Sequence, residues 1–455
     1  MKRLLIVAIF ISIQIAGLSG RDRAPIVISG ATMIDGTGRP PVPDITVIIA
    51  GDRISKVGPS GSLAIPPGAR VIDGSGKFIL PGLIDTHVHL EMVGLADIGT
   101  LPAEWNAPDK LAKLVALNAR LDLIAGFTTV RDLGSSDIVL KVRNQVNSGK
   151  LLGPRIFASG MQLVKRSAEA PSEAMFLEYD GTESARTGVR HLAAIGVDVI
   201  KIRLTRQRPV PSLDEVRAIV EEAHRLGLRA TVHTDVPADD LVRLAIDAGA
   251  DGIEHNAPLR SQIAGTLARM AQGKMSLMAG AGAFYVQRID STGLIDGLDQ
   301  AQTRLFPADI LSALHAGIGS LHDQTLEMTG SGWSAAQRQA SFSQEIQRAR
   351  NAGVLLAFGT DCGAYGMVHG EQYKALFGET RMGSSAMEAI LMATRDAAAA
   401  LGKADELGTI RQGLLADLIV VDADPLKDLR NVHLIHRIIK GGSVYDPAEL
   451  ISAMK

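Results

Sequence analysis

The 455-residue sequence predicts an α/β fold: a closed (β/α)8 barrel flanked by a small strand-rich domain made from both chain ends. Three observations carry that reading. Short β-type runs separated by glycine-containing turns fill residues 26–77, and a similar composition returns at 417–444. The long middle alternates apolar strands with helical segments. It holds eight such strands, the count that closes a barrel rather than leaving an open sheet. A composition of 46% hydrophobic and 21% charged residues fits a globular chain with room for more than one core.

The first segment stands apart. Lys2 and Arg3 precede a largely apolar stretch from Leu4 to Ala16, and the small residues of 17–20 follow before Arg21. A positive start, a short apolar core and a small-residue break predict a signal peptide over 1–20, and hence a periplasmic or secreted protein. The run is shorter than the ~20 residues a span needs, so no stable membrane span is expected after cleavage. Without Lys2 and Arg3 the chain carries 45 basic and 49 acidic side chains. That balance, with no basic stripe and no acidic block, argues against nucleic acid as a partner and for a small-molecule substrate. Formation of a homo-oligomer stays open. Cys362 is the only cysteine, so no intrachain disulfide exists and stability rests on the core.

From Ile26 to Lys77, the runs Ile26-Val27-Ile28, Ile45 to Ile49, Arg53 to Val57 and Val71-Ile72 read as strands of a small sheet. Leu418-Ile419-Val420-Val421 and Arg437 to Val444 are their counterparts at the other end. A three-stranded fragment makes a poor core alone, so residues 21–79 and 405–455 are expected to form one discontinuous domain around the barrel of 80–404. The barrel strands begin with Leu83 to His89 and continue at 128–131, 155–158, 197–204, 228–234, 252–254, 275–278 and 354–359. Ser212 and Glu215 form a capping-box pattern ahead of Val216, Ile219, Val220 and Ala223 at helical spacing. A last helix is expected over about 385–401. Two stretches, 161–180 and 281–332, read as long loops after strands three and seven, the latter with a short helix at 307–315. Loops in these places are natural substrate walls.

The first barrel strand ends in His87-Val88-His89, which puts two imidazoles on one face at its exit. An isolated pair of this kind is more often ordinary polar surface than a metal site. Four further residues stand at strand ends of the same barrel: Lys201 within an otherwise apolar strand, then His233, His255 and Asp361. A lysine in such a strand is costly unless its charge is paired, removed or used. Together the six converge on one mouth and suit two divalent cations. His87, His89 and Asp361 would hold one ion, and His233 and His255 the other. Lys201, carbamylated by carbon dioxide, would supply a bridging carboxylate alongside a metal-bridging hydroxide. Asp361 would act as general acid/base, taking the water's proton and passing it to the leaving group.

The chain also resembles the amidohydrolase superfamily, in particular its secreted prolidase-like and imidazolonepropionase-related branch. The resemblance rests on Asp35-Gly36-Thr37-Gly38, Pro81-Gly82-Leu83-Ile84-Asp85-Thr86-His87-Val88-His89, Thr128 to Gly134, Gly153-Pro154-Arg155, Ile200-Lys201-Ile202, Ile253-Glu254-His255, Gly359-Thr360-Asp361 and Gly413 to Leu418. It implies a TIM barrel with a β-sandwich built from both chain ends, two metal ions, usually zinc, and a carbamylated Lys201. It further implies that His369, in Val368-His369-Gly370-Glu371, lies near the pocket as a substrate-binding residue. The expected reaction is hydrolysis of an amide C–N bond in a dipeptide or N-acyl amino acid. Cyclic amides, lactones and other esters share the machinery. A mononuclear deaminase of the same superfamily would need a His-x-x-Glu arrangement, and Val236 stands three residues after His233. A barrel retained only for binding should lack a ligand, and none of the six is missing. Departures occur at Met161 to Arg166 and Arg203 to Arg208, where dipeptide-cleaving relatives carry glycine-rich segments. Arg203, Arg206 and Arg208 are either carboxylate binders or a solvated basic loop. His191, His224, His315, His322, His433 and His436 are expected to be non-ligands.

Overall fold

Branched residues on facing positions set the first hairpin: β1 (Ile26–Met33) and β2 (Val42–Ala50) pair antiparallel, with Val27 opposite Ile48 and Ile28 opposite Val47. The structure is a computed structural model that describes residues 24–94, 105, 107–169, 174–235, 239–255, 265–280, 305–314, 335–364 and 366–454. The expected signal peptide, 1–20, lies outside them, as does most of the expected loop 281–332. The chain turns from β2 into β3 (Arg53–Pro59) at Gly51, whose φ of 62° is the left-handed conformation a tight turn needs. β4 (Arg70–Asp73) and β5 (Phe78–Pro81) both run parallel to β1.

Ten further strands follow. β6 (Leu83–Val88), β7 (Phe127–Asp132) and β8 (Arg155–Ala158) make a parallel three-stranded sheet. β9 (Gln162–Lys165), β10 (Phe176–Tyr179), β11 (Val199–Leu204), β12 (Arg229–Thr234), β13 (Gly252–Ile253), β14 (Ser276–Gly280) and β15 (Leu355–Gly359) make a seven-stranded one in the order β10-β9-β11-β12-β13-β14-β15. Two contacts join these sheets. A parallel bridge pairs Val88 with Cys362, just past β15, and Asp198 N donates to Ala158 O at 2.8 Å, tying the entry of β11 to the exit of β8. Helices Pro108–Ile124, Asp137–Asn147, Thr182–Ala194, Leu213–Arg225, Asp239–Asp247, Thr266–Gln272 and Ala335–Asn351 lie between strands in the chain. Leu83, Phe127, Val130, Ile200, Ile202, Val232, Leu277 and Phe358 are fully buried in the resulting core, as expected of parallel strands covered on both faces. The result is an α/β fold with parallel sheets.

At the far end β16 (Leu418–Val421) pairs antiparallel with β5, Leu418 opposite Pro81 and Val421 opposite Phe78. β17 (Ile435–Lys440) and β18 (Ser443–Tyr445) extend it, so strands from both ends share one mixed sheet, β18-β17-β16-β5-β1-β2-β3, with β4 on β1. Ile28, Val47, Ile49, Ile79, Leu418, Val420 and Ile439 pack as its own core.

Two local expectations change. The segment 161–180, read as a loop, contains β9 and β10. Each strand is four residues long and carries charge, so local pattern is weak. Pairing of Leu163 and Val164 with Ile202 and Arg203 of β11, and burial of Tyr179, decide the conformation. The helix expected over 385–401 is two helices, Ala386–Met392 and Arg395–Ala400. Thr394 breaks it: its hydroxyl donates to Ile390 O at 2.6 Å, and the Ala393 carbonyl accepts instead from Ile84 N of β6. The capping box at Ser212 and Glu215 forms as expected, and 308–314 is helical.

Candidate metal centre

β6 delivers His87 and His89 to one place because its end is held from both sides. Asp361 N donates to His87 O at 2.9 Å and His89 N to Cys362 O at 2.7 Å, so the exit of β15 is laced to the exit of β6. On the other flank, Arg131 Nε donates to Thr86 O at 2.6 Å and Asp132 accepts from Leu90 N at 2.7 Å. Gly363 completes the crossing at φ 97°, where a Cβ would run into His89 O. His255 and Asp361 themselves sit at φ 67° and 61°, a left-handed conformation that costs free energy in a non-glycine residue. Strain of this kind persists only where surrounding contacts impose it, and both residues lie in one cluster.

Asp361 is the hub. Its Oδ1 lies 3.1 Å from His89 Nε2 and 3.4 Å from His87 Nε2, and its Oδ2 lies 3.6 Å from His255 Nδ1. The His255 ring centroid is 4.6 Å from that of His87 and 4.7 Å from that of His233. Lys201 projects from β11 and is 1% exposed. The structure therefore gathers five of the expected ligands, His87, His89, His233, His255 and Asp361, in one cluster, and buries Lys201 within electrostatic reach of Glu254 and Asp361. His369 lies directly behind His89: fully buried, its Nδ1 is 2.9 Å from Asp122 and its Nε2 is 3.2 Å from His89 O. The expected non-ligands His224 and His436 pair instead with Asp251 and Asp422, and His433 stacks on Tyr373.

The protonation pattern fits a cation. Burial holds the His87 and His233 imidazoles well below their ordinary range and pushes His255 down to about 3, so these rings are neutral near pH 7. Burial opposes ionisation of Glu254, but Arg131, Lys201 and His87 outweigh it and hold the carboxyl well below its usual value. Burial likewise opposes ionisation of Asp361, whose carboxyl is nonetheless held well below its usual value, with His89 Nε2 3.1 Å from Oδ1. An ionised Glu254 only accepts, so His87 Nδ1, 2.8 Å away, carries the proton and Nε2 presents its lone pair. That lone pair faces the Asp361 oxygen at 3.4 Å, and neither atom has a hydrogen-bond partner among the described residues. Two buried acceptors turned toward each other repel unless a cation lies between them. The buried Lys201 Nζ also lacks a partner among the described residues, and burial pushes its ammonium down to about 8. Imidazole nitrogens, a carboxylate and a modifiable amine thus form a donor set suited to divalent ions.

Sequence reasoning left out the residues behind the ligands. Glu254 accepts from His87, from Arg131 Nη2 at 2.9 Å and from the Thr231 hydroxyl. Asp85, pushed up to about 7 by burial, accepts from Thr360 Oγ1 at 2.6 Å and from His87 N at 3.0 Å. Asp122 accepts from Gln372 as well as from His369. The signal that singled out Lys201, a charged side chain inside an apolar strand, applies equally to Asp85 and Arg131 and could have found them.

Comparison with known proteins follows the geometry. Residues 78–444 match the amidohydrolase family. The 5-methylthioadenosine/S-adenosylhomocysteine deaminase of Symbiobacterium thermophilum is 25% identical over 425 residues, 88% of this chain and 85% of that protein. The ochratoxinase of Aspergillus niger is 24% identical over 477 residues, covering 94% and 88%. The crystal structure of a Xaa-Pro dipeptidase with methionine bound in its active site superposes with a TM-score of 0.73 at 26% identity, covering 93% of this chain and all of that one. Among the described residues, His87, His89 and Asp361 form a buried group able to hold a metal ion. A family match over most of the chain settles its membership: the protein belongs to the amidohydrolase family and is a metal-dependent hydrolase acting on carbon–nitrogen bonds.

Proposed function

We propose that the protein hydrolyses the amide bond of a dipeptide or an N-acyl amino acid at a two-metal centre made by His87, His89, Lys201, His233, His255 and Asp361. The observation that carries this reading is the trio of buried, unpartnered atoms: His87 Nε2, Asp361 Oδ1 and Lys201 Nζ. His87, His89 and Asp361 would hold one ion, His233 and His255 the other, with zinc favoured by the nitrogen and oxygen donors. Lys201 would bridge them as its N6-carboxylate. The neutral amine adds to carbon dioxide and releases a proton, which exchanges a costly buried ammonium for an anion with two oxygens.

When bound, the ions supply a water of pKa near ~7 and polarise the scissile carbonyl. The chain's own residues do the rest. Asp361 accepts the water's proton and returns it to the departing nitrogen. Glu254 fixes the His87 tautomer, and Arg131 keeps Glu254 ionised. The dipeptidase and ochratoxinase relatives support hydrolytic amide cleavage. The deaminase relative raises a second reading, a mononuclear site, in which Lys201 has no task; its unpartnered nitrogen favours the binuclear one. Cyclic amides, lactones and esters would use the same residues.

Around this centre we infer a closed (β/α)8 barrel over 80–404 and a β-sandwich from 21–79 and 405–455. The contacts that join the two parallel sheets, and the pairing of β5 with β16, support that architecture. Export to the periplasm or beyond, with the leader 1–20 removed, is inferred from the sequence, and a mature N-terminus near Arg21 by mass spectrometry tests it. The reaction is tested by elemental analysis with a hydrolysis screen over dipeptides, N-acyl amino acids and lactones. Close to two divalent ions per chain and release of an amine are expected; one ion or none would sink the binuclear site.

A further inference from the structure

Strand parity places a second charge on the face that carries Lys201. Arg203 is two residues on in β11, so its side chain leaves the strand in the same direction, one step nearer the mouth. Its Cα partners are His233 on β12 and Val164 on β9. The three arginines of this segment differ in what they meet. Arg206 Nη2 pairs with Asp240, and its backbone N–H donates to Asp235. Arg208 Nη1 pairs with Glu178 at 2.8 Å. Arg203, half-buried, has no carboxylate partner among the described residues, and its guanidinium lies over the Phe176 ring at 5.7 Å.

A partly desolvated guanidinium is expensive without a counterion, and the face of Phe176, which Arg208 also approaches at 5.3 Å, attracts the charge without neutralising it. The register puts it at the centre: Arg203 stands directly across from His233, on the strand face that carries Lys201. A planar fork beside His233, with no acid partner among the described residues, matches a carboxylate bidentately. The geometry points to Arg203 as the residue that binds a carboxylate of the substrate, so the site selects acyl-amino acids or peptides with a free C-terminus over their neutral amides. This rests on the amide-hydrolase reading of the same centre.

The test uses paired ligands, an N-acetyl amino acid and its primary amide, and the metal-loaded protein as wild type, Arg203→Met and Arg203→Lys. Met keeps an unbranched side chain against Phe176. By calorimetry the wild type should bind the carboxylate about 10- to 100-fold more tightly than the amide. Arg203→Met should bring that ratio to about one, and Arg203→Lys should keep part of it. In turnover of matched dipeptides and dipeptide amides, the same collapse should appear mainly in KM. Equal wild-type affinity for the pair, a preference that survives in Arg203→Met, or no binding of either would overturn the assignment. Loss of metal from Arg203→Met would also overturn it, by making the guanidinium a support for His233. Absence of amide turnover with the binding preference intact would instead remove the hydrolase reading and leave the Arg203 carboxylate site standing.

Discussion

Glu254 Oε2 lies 2.8 Å from His87 Nδ1, and the pair is fully buried between β13 and β6. This contact decides which ring nitrogen of His87 is free. Glu254→Gln keeps the shape but loses the charge, and partners of this kind are worth ~10- to 100-fold in metal affinity. Titration of the metal-free variant with zinc should show a weakening of that size. An unaltered affinity would mean that His87 is oriented by its packing alone.

Lys201→Ala should lose bound metal and activity together, because the proposed bridging carboxylate goes with it. Short carboxylic acids such as acetate or propionate should restore part of the rate by occupying the space. A variant with full metal content and full activity would take Lys201 out of the mechanism.

Asp361→Asn removes the proposed proton acceptor. Turnover should fall by ~10²- to 10⁴-fold, the usual worth of a general acid–base. The fall should persist when excess metal restores occupancy, which separates proton transfer from ligation.

Gly363→Ala puts a methyl group at φ 97°, against His89 O. The positive φ alone costs ~1 kcal/mol, and the clash adds to it. A lowered Tm with weakened metal binding is expected, since the displaced backbone carries His89. Thermal scans with and without zinc measure both effects.

Glu379 lets pH act on stability away from the centre. It is fully buried, with Oε1 unpartnered among the described residues and Oε2 accepting from Ser384 Oγ at 3.4 Å. Burial pushes its carboxyl up to about 7, with Arg350 and Ser384 pulling the other way. A folded pKa above the unfolded one means the native state binds the proton more tightly. The contribution is full below about pH 4 and is lost as pH rises through about 7. At 1.36 kcal/mol per unit, the loss is on the order of 3 kcal/mol. Glu379→Gln should raise the urea midpoint at pH 8, leave it nearly unchanged at pH 4.5, and flatten the profile between. A wild-type midpoint that does not fall across this range would contradict the buried carboxyl.

Local sequence by itself determined the alternation of strands and helices over most of the chain and the side-chain directions within those strands. The apolar runs marked every strand from β6 to β8 and β11 to β15, and the two-residue spacing put His87 and His89 on one face, and Lys201 and Arg203 on another. It could do so because strand periodicity and helix caps are written within a few residues. Tertiary structure decided what those side chains meet. Glu254 reaches His87 across 167 residues, Asp122 reaches His369 across 247, and β5 finds β16 at the other end of the chain. It decided that 162–165 and 176–179 are strands, and that Arg206 and Arg208 are neutralised while Arg203 has no acid partner among the described residues. These outcomes depend on register between strands and on burial, quantities set when distant segments pack, and no local pattern encodes them.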